Sequence, residues 1–325
     1  MTYIGDYAFK GCTGLEEITI PAGVTSIGDY AFQGCTNLTS VVIPDKVITI
    51  GSNAFQDCPS LKEITIPDSV ITIGVAAFSG CEGLTAVTIG DGVKVLEQQL
   101  FEGCANLTDL TIGGGVITIR EAAFSGCTSL EKLAIPANVT GIEGDAFLDC
   151  TGLTGVYITD LAAWCSIGLS NLKTSPLDYA GNLYLNGSLL TELTIPAGVT
   201  TIGDSVFRGC TSLTAVTIPD GVTTVKYGAF GRCAALKEIT IPKSVLSIED
   251  NAFLDVPLKT VRYGGTKAEW EKVALNNNTA FSDAKMIFSG EKSGNTGLWV
   301  TIVMLSLALA AIVALKVILL KKKKA

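Results

Sequence analysis

The chain has 325 residues, a formal net charge of −8 and no histidine, so the commonest general base and metal ligand is missing. The last thirty residues hold five lysines and no acid, which leaves 18 basic against 31 acidic residues in the rest, a net −13. A body this acidic lacks the basic face that nucleic acid requires.

Phenylalanine recurs every 23 residues at Phe9, Phe32, Phe55, Phe78, Phe101, Phe124 and Phe147, and again at Phe207, Phe230 and Phe253. A fixed period of this size reads as a solenoid. A solenoid grows by adding coils, so the length does not imply two separate cores. At the N-terminus, Met1-Thr2-Tyr3 leads straight into a coil with no charged-then-apolar leader, and the natural chain is expected to begin further upstream.

Each coil has three parts. The first is Leu-x-x-Ile-x-Ile-Pro, as in Leu61, Ile64, Ile66 and Pro67. Its alternating β-branched residues predict a strand, and the proline, lacking an N–H, ends the ladder. The second is a turn with one buried valine, such as Val47 or Val70. The third is Ile-Gly-x-x-Ala-Phe-x-Gly-Cys, which places Ile27, Ala31, Phe32 and Cys35 on one face of an expected helical turn. The residue before the cysteine, glycine at Gly11, Gly34, Gly80, Gly103, Gly126 and Gly209, suits a left-handed close to that helix. Asp57, Asp149, Asp255 and Arg232 take the same place less comfortably. Nine of the ten cysteines sit three residues after a phenylalanine. Stacked side by side, their Cβ vectors do not aim at each other as a disulfide requires, and they are expected to be reduced, buried and inert.

The array pauses between Phe147 and Phe207, leaving 37 residues beyond one repeat step. In this variant unit, at about 159–189, Asp160 can cap a short helix through Trp164, and Asn186-Gly187 is a hairpin signal. A related unit at about 264–288 aligns Trp270 with Trp164 and carries a Thr266/Glu269 capping box. Both tryptophans are read as anchors packing a helix over the stack. The last unit is expected to cover the C-terminal end of the solenoid.

Residues 289–297 read as a flexible linker. From Leu298 to Leu320 the chain is long and apolar enough to cross a bilayer as one helix, with Lys316 able to snorkel. The lysine tail, 321–325, favours the cytoplasmic side and would leave the repeats outside the cell.

The Leu-x-x-Ile-x-Ile-Pro runs with Ile-Gly-x-x-Ala-Phe-x-x-Cys resemble the BspA-like leucine-rich repeats of surface proteins from bacteria and some parasitic protists. The resemblance covers residues 2–288. It implies an α/β-type solenoid over 1–288, a leucine-rich repeat right-handed coil stack with one parallel β-sheet, to which the C-terminal transmembrane helix is added. It also implies attachment to host matrix proteins, other cells or polysaccharide.

No catalytic constellation, phosphate loop or twelve-residue calcium loop is present in the sequence, so no enzyme and no cofactor are expected. What remains is the outward face of the strands: Glu17 and Thr19, Glu63 and Thr65, Asp109 and Thr111, Glu192 and Thr194, Glu238 and Thr240. In neighbouring coils these form columns, one mostly threonine, which also suits an exposed strand without any ligand. Tyr157 and Arg262 interrupt the threonine column and are the first candidates for contact with a protein or glycan partner outside the cell. Two functions stay open, a membrane-anchored surface binding module for adhesion and a structural spacer or surface-layer element without a specific ligand.

Overall fold

The computed structural model describes residues 1–170 and 175–289. The linker from residue 290, the transmembrane span expected over Leu298 to Leu320 and the lysine tail lie outside the described residues. Among those described, no helix is long and apolar enough to cross a membrane.

The Leu-x-x-Ile-x-Ile runs form the long strands. Glu63–Ile66, Ala86–Ile89 and Asp109–Ile112 pair in parallel at a 23-residue offset, so that Val87 lies between Ile64 and Leu110, and Ile89 between Ile66 and Ile112. Ile64 and Ile66 are buried while Glu63 and Thr65 face solvent, as a half-buried pleated strand requires. A second ladder was not anticipated. Two-residue strands such as Thr49–Ile50 and Thr72–Ile73 stack Ile4, Ile27, Ile50 and Ile73 in register. The expectation of one parallel sheet is therefore corrected: two parallel ladders run along the stack, each broken into segments. These two-residue strands, most often Thr-Ile or Ser-Ile, are too short to announce themselves in the sequence.

The expected helical turn in the third part of each coil is also corrected. Two residues per turn are left-handed, Tyr30 (φ 56°) and Gly34 (φ 70°) in the second coil, and they redirect the amides to the next coil. Tyr30, Phe32 and Gly34 donate to the carbonyls of Ser52, Ala54 and Gln56 at 2.7–2.9 Å, while Gln33 and Cys35 close tight turns onto Tyr30 and Phe32. The same Phe N–H donation runs from Phe9, Phe32, Phe55, Phe78, Phe101, Phe124, Phe207 and Phe230, at 2.7–3.0 Å. The fold is thus a parallel β-solenoid of leucine-rich repeat character with little helix. The α-helices among the described residues are α1 (Leu161–Cys165), α2 (Leu177–Ala180) and α3 (Lys267–Trp270), all in the variant units.

Burial follows the period. The rings from Phe9 to Phe147 form one internal row with neighbouring centroids 5.0–5.5 Å apart and planes within 12°. Phe207, Phe230 and Phe253 form a second row. The cysteines are free, and they do more than fill space. Cys35, Cys58, Cys81, Cys104, Cys127, Cys150 and Cys233 each donate Sγ–H to the carbonyl of the phenylalanine one coil earlier, at 3.0–3.4 Å. Burial pushes the Cys104, Cys150 and Cys165 thiols up to about 12 and Cys35 to about 11, which leaves them neutral and unreactive.

The first variant unit keeps the stack continuous by substitution. The Asp160 carboxylate accepts from the Ala162 and Ala163 amides and caps α1. Trp164 is 2% exposed, and its indole Nε1 donates to the Val206 carbonyl at 3.0 Å. In ordinary coils that carbonyl position receives the preceding phenylalanine N–H, so the indole stands in for a missing backbone donor. In α2, Asp178 pairs with the buried Arg208 guanidinium at 2.9 Å. The Tyr179 hydroxyl accepts from the Asp149 amide at 3.0 Å.

The last unit closes the array. Thr266 and Glu269 form the expected capping box. Trp270 packs edge-on against Tyr263 and Phe281, and Phe281 edge-on against Phe253, ending the parallel ring row. The Asn278 side-chain carbonyl accepts the Phe253 N–H at 3.0 Å, and its amide donates to the Glu249 carbonyl at 2.7 Å. One asparagine thereby supplies what a further coil would have offered. Lys285–Phe288 adds a final parallel strand against Thr260–Tyr263.

Candidate functional site

The long-strand ladder turns alternate residues outward and fixes them in columns. Glu63, Ala86 and Asp109 share one column, and Thr65, Thr88 and Thr111 the next. After the first variant unit, Glu192, Ala215 and Glu238 align, as do Thr194, Thr217, Thr240 and Arg262. Glu17 and Thr19 lie opposite Ser40 and Val42 at the N-terminal end. Glu17, Thr19, Glu63, Thr65, Asp109, Thr111, Glu192, Thr194 and Glu238 are exposed, while Tyr157, Thr240 and Arg262 are half-buried. Arg262 pairs with Glu238 across the ladder at 3.4 Å.

The columns are not continuous. A hairpin, Leu183–Leu185 with Ser188–Leu189, ends one sheet, and Glu192–Thr194 begins the next. Asn186 (φ 50°) and Gly187 (φ 80°) make its turn. The candidates therefore fall into an acidic-threonine group before the hairpin and a second group after it, with Tyr157 beside the junction.

At that junction lies a residue that sequence reasoning passed over. Tyr184 pairs in register with Tyr157, and their rings stack at 4.5 Å with planes within 8°. The signal was available, because Leu183-Tyr184-Leu185 repeats the pattern of Val156-Tyr157-Ile158. Both rings lean over Gly155, where an added Cβ would come within 2.7 Å of Tyr184 and 3.1 Å of Tyr157. The tyrosine pair thus requires glycine there. On another side of the variant unit, a cleft of about 460 Å³ opens between α1 and the following coil, lined by Ser166, Gly168, Thr200, Thr201, Asp204 and Lys226. Lys226 and Asp204 pair across it at 3.4 Å. Among the described residues no cluster of three or more metal-ligating side chains forms.

Comparison with known proteins places the repeats in a family. The model of the BspA type leucine-rich repeat region matches in six copies over residues 2–70, 48–168 and 178–286. Among solved structures, a leucine-rich cell surface protein from Faecalibacterium prausnitzii A2-165 is 30% identical, with 86% of each chain covered and a TM-score of 0.47. A leucine-rich repeat protein from Bacteroides ovatus ATCC 8483 is 26% identical, covering 89% of this chain and 87% of that one, with a TM-score of 0.48. The pneumococcal vaccine antigen PcpA is 20% identical over 82% of this chain and 68% of its own, at a TM-score of 0.42. No curated protein sequence matches the chain. With the family model matching six copies that together span most of the coils, the chain belongs to the BspA-type leucine-rich repeat family.

Proposed function

We propose that the chain is a cell-surface binding module that adheres to a protein or glycan partner through the outward face of its long strands, held to the membrane by Leu298 to Leu320 with the lysine tail inside. The observation that carries this reading is the register of the strand face, which presents Glu63, Asp109, Thr65 and Thr111 in fixed columns that lead to the half-buried tyrosine step. Extended solenoid faces bind in this manner, and membership of a family with surface-protein relatives supports the placement. No catalysis is proposed, since the buried thiols and scattered acids form no nucleophile–base pair.

Beads carrying the full chain should bind a matrix-protein and polysaccharide panel saturably, with binding lost on Tyr157→Ala or on reversing the acidic column. Unsaturable or absent attachment across the panel would favour a spacer. For the anchor, a cysteine placed at Ser293 should react with an impermeant reagent on intact cells, and labelling only after lysis would put the repeats inside.

A further inference from the structure

We propose that the strand face carries a notch over Ala134 that takes one neutral hexopyranose unit of a polysaccharide, stacked on the ring of Tyr157. The inference rests on the binding-face reading above and names its ligand class.

The notch follows from side-chain size in register. Ala134 pairs with Tyr157, and Lys132 with Gly155. On the other side, Asp109–Ile112 lies against Lys132–Ala134, and the 23-residue step sets Thr111 opposite Ala134. Along one column the order is therefore threonine, alanine, tyrosine, tyrosine. Strands about 4.8 Å apart put Thr111 and Tyr157 about 10 Å from each other, with only a methyl group between. That leaves space above Ala134 for one six-membered ring lying parallel to the tyrosine.

The chemistry of the walls selects the occupant. Tyr184 backs Tyr157 at 4.5 Å, so the wall is held before anything binds and little ordering cost remains. One face of Tyr157 is taken by Tyr184, and the register turns the other toward the Lys132–Ala134 strand, with the side chain still half-exposed. A pyranose offers one apolar C–H face to an aromatic ring and a rim of hydroxyls to polar groups. Asp109, Thr111 and Lys132 stand exposed around the notch, and the Thr108 hydroxyl steadies Asp109 through Oδ2 at 3.0 Å. The acid and the lysine oppose each other in charge, which suits a neutral sugar over a uronic acid or an amino sugar. A protein anchor would need a dry apolar surround, and neither Asp109–Ile112 nor Lys132–Ala134 exposes a large apolar side chain.

The test is affinity electrophoresis of the full chain through gels containing soluble β-glucan, α-glucan, mannan or galactan. At least one should retard the native chain. Ala134→Leu, which fills the notch and leaves the tyrosines in place, and Tyr157→Ala should each weaken retardation about tenfold, while Tyr157→Phe keeps it. Matched circular-dichroism melting shows that each variant is folded. Retardation by none of the four polysaccharides, or retardation unchanged by Ala134→Leu, overturns the notch. If beads still bind a matrix protein saturably in that case, the binding-face reading stands without the sugar; if they bind nothing, both fall.

Discussion

The arrays before and after the first variant unit follow the same 23-residue rule, yet they differ in charge, in thiols and in how they end. Residues 1–158 carry 18 acidic and 6 basic side chains, whereas residues 190–289 carry 10 of each. Six buried column cysteines line the first array and two, Cys210 and Cys233, the second. The first array opens on a half-buried Phe9 with Cys12 exposed; the second closes on Phe281 and Asn278. The ring spacing is nonetheless almost the same in both. The repeat thus fixes only what one coil must give its neighbours. Surface charge varies independently of it, and function can be placed there at little cost to the core.

The largest contrast should appear in alkali. In the first array the hydrogen bond with Cys58 together with burial raises the Cys81 thiol, while Cys58 is lowered. Burial raises the folded-state thiols of Cys35, Cys104, Cys127 and Cys150, to about 12 at Cys104 and Cys150, against about 8.5 in an unfolded chain. Their stability contribution is complete below the unfolded value and is lost as pH climbs through the folded one. The first array, with five raised column thiols against two in the second, should therefore open first. Limited proteolysis between pH 8 and 11 checks this, and simultaneous opening of the two arrays would remove the contrast.

Deleting a ring comes next. Phe124→Ala should cost about 3–5 kcal/mol, because its ring lies between Phe101 and Phe147. Phe9→Ala should cost well under half as much, because that ring is half-buried and stacks on Phe32. Equal melting losses for the two would mean that Phe9 is as enclosed as Phe124. Asn278→Ala should cost about 1–3 kcal/mol by leaving buried backbone groups unpaired, with hydrogen exchange quickening at the Phe253 amide and not at Phe32.

The smallest effect is a gain. Ala122 holds φ 55° without being glycine, and left-handed residues cost roughly 1–2 kcal/mol. Ala122→Gly should recover about 1 kcal/mol of that in thermal melting, and a loss of stability would show that the turn is not strained.

These cases also mark how far the sequence could be read. The long strands, the phenylalanine row, the Asp160 and Thr266 caps and the Asn186-Gly187 hairpin were legible because each depends on residues within a few positions. The left-handed residues at Asp57, Asp149, Asp255 and Arg232 were legible too, by alignment with glycines. Ala76, Gln99 and Ala122 gave no such signal, and the turn they make was read as helix. Their conformation is imposed by hydrogen bonds to the next coil, which no local pattern reveals. Donation by the cysteine thiols, the Val206 carbonyl served by Trp164 and the closing role of Asn278 were hidden for the same reason. On the candidate face, the columns were readable from the period. Tyr184 was not paired with Tyr157 because the insert shifts it 27 residues along instead of 23.

The measurement that tests the account most directly compares two charge reversals on bead-displayed full chain. Glu63→Lys with Asp109→Lys alters the strand columns. Asp45→Lys with Glu121→Lys changes net charge equally at exposed turn positions away from them. Saturable attachment should be lost in the first pair and kept in the second. Equal loss in both, or retention in both, would contradict binding through the strand face.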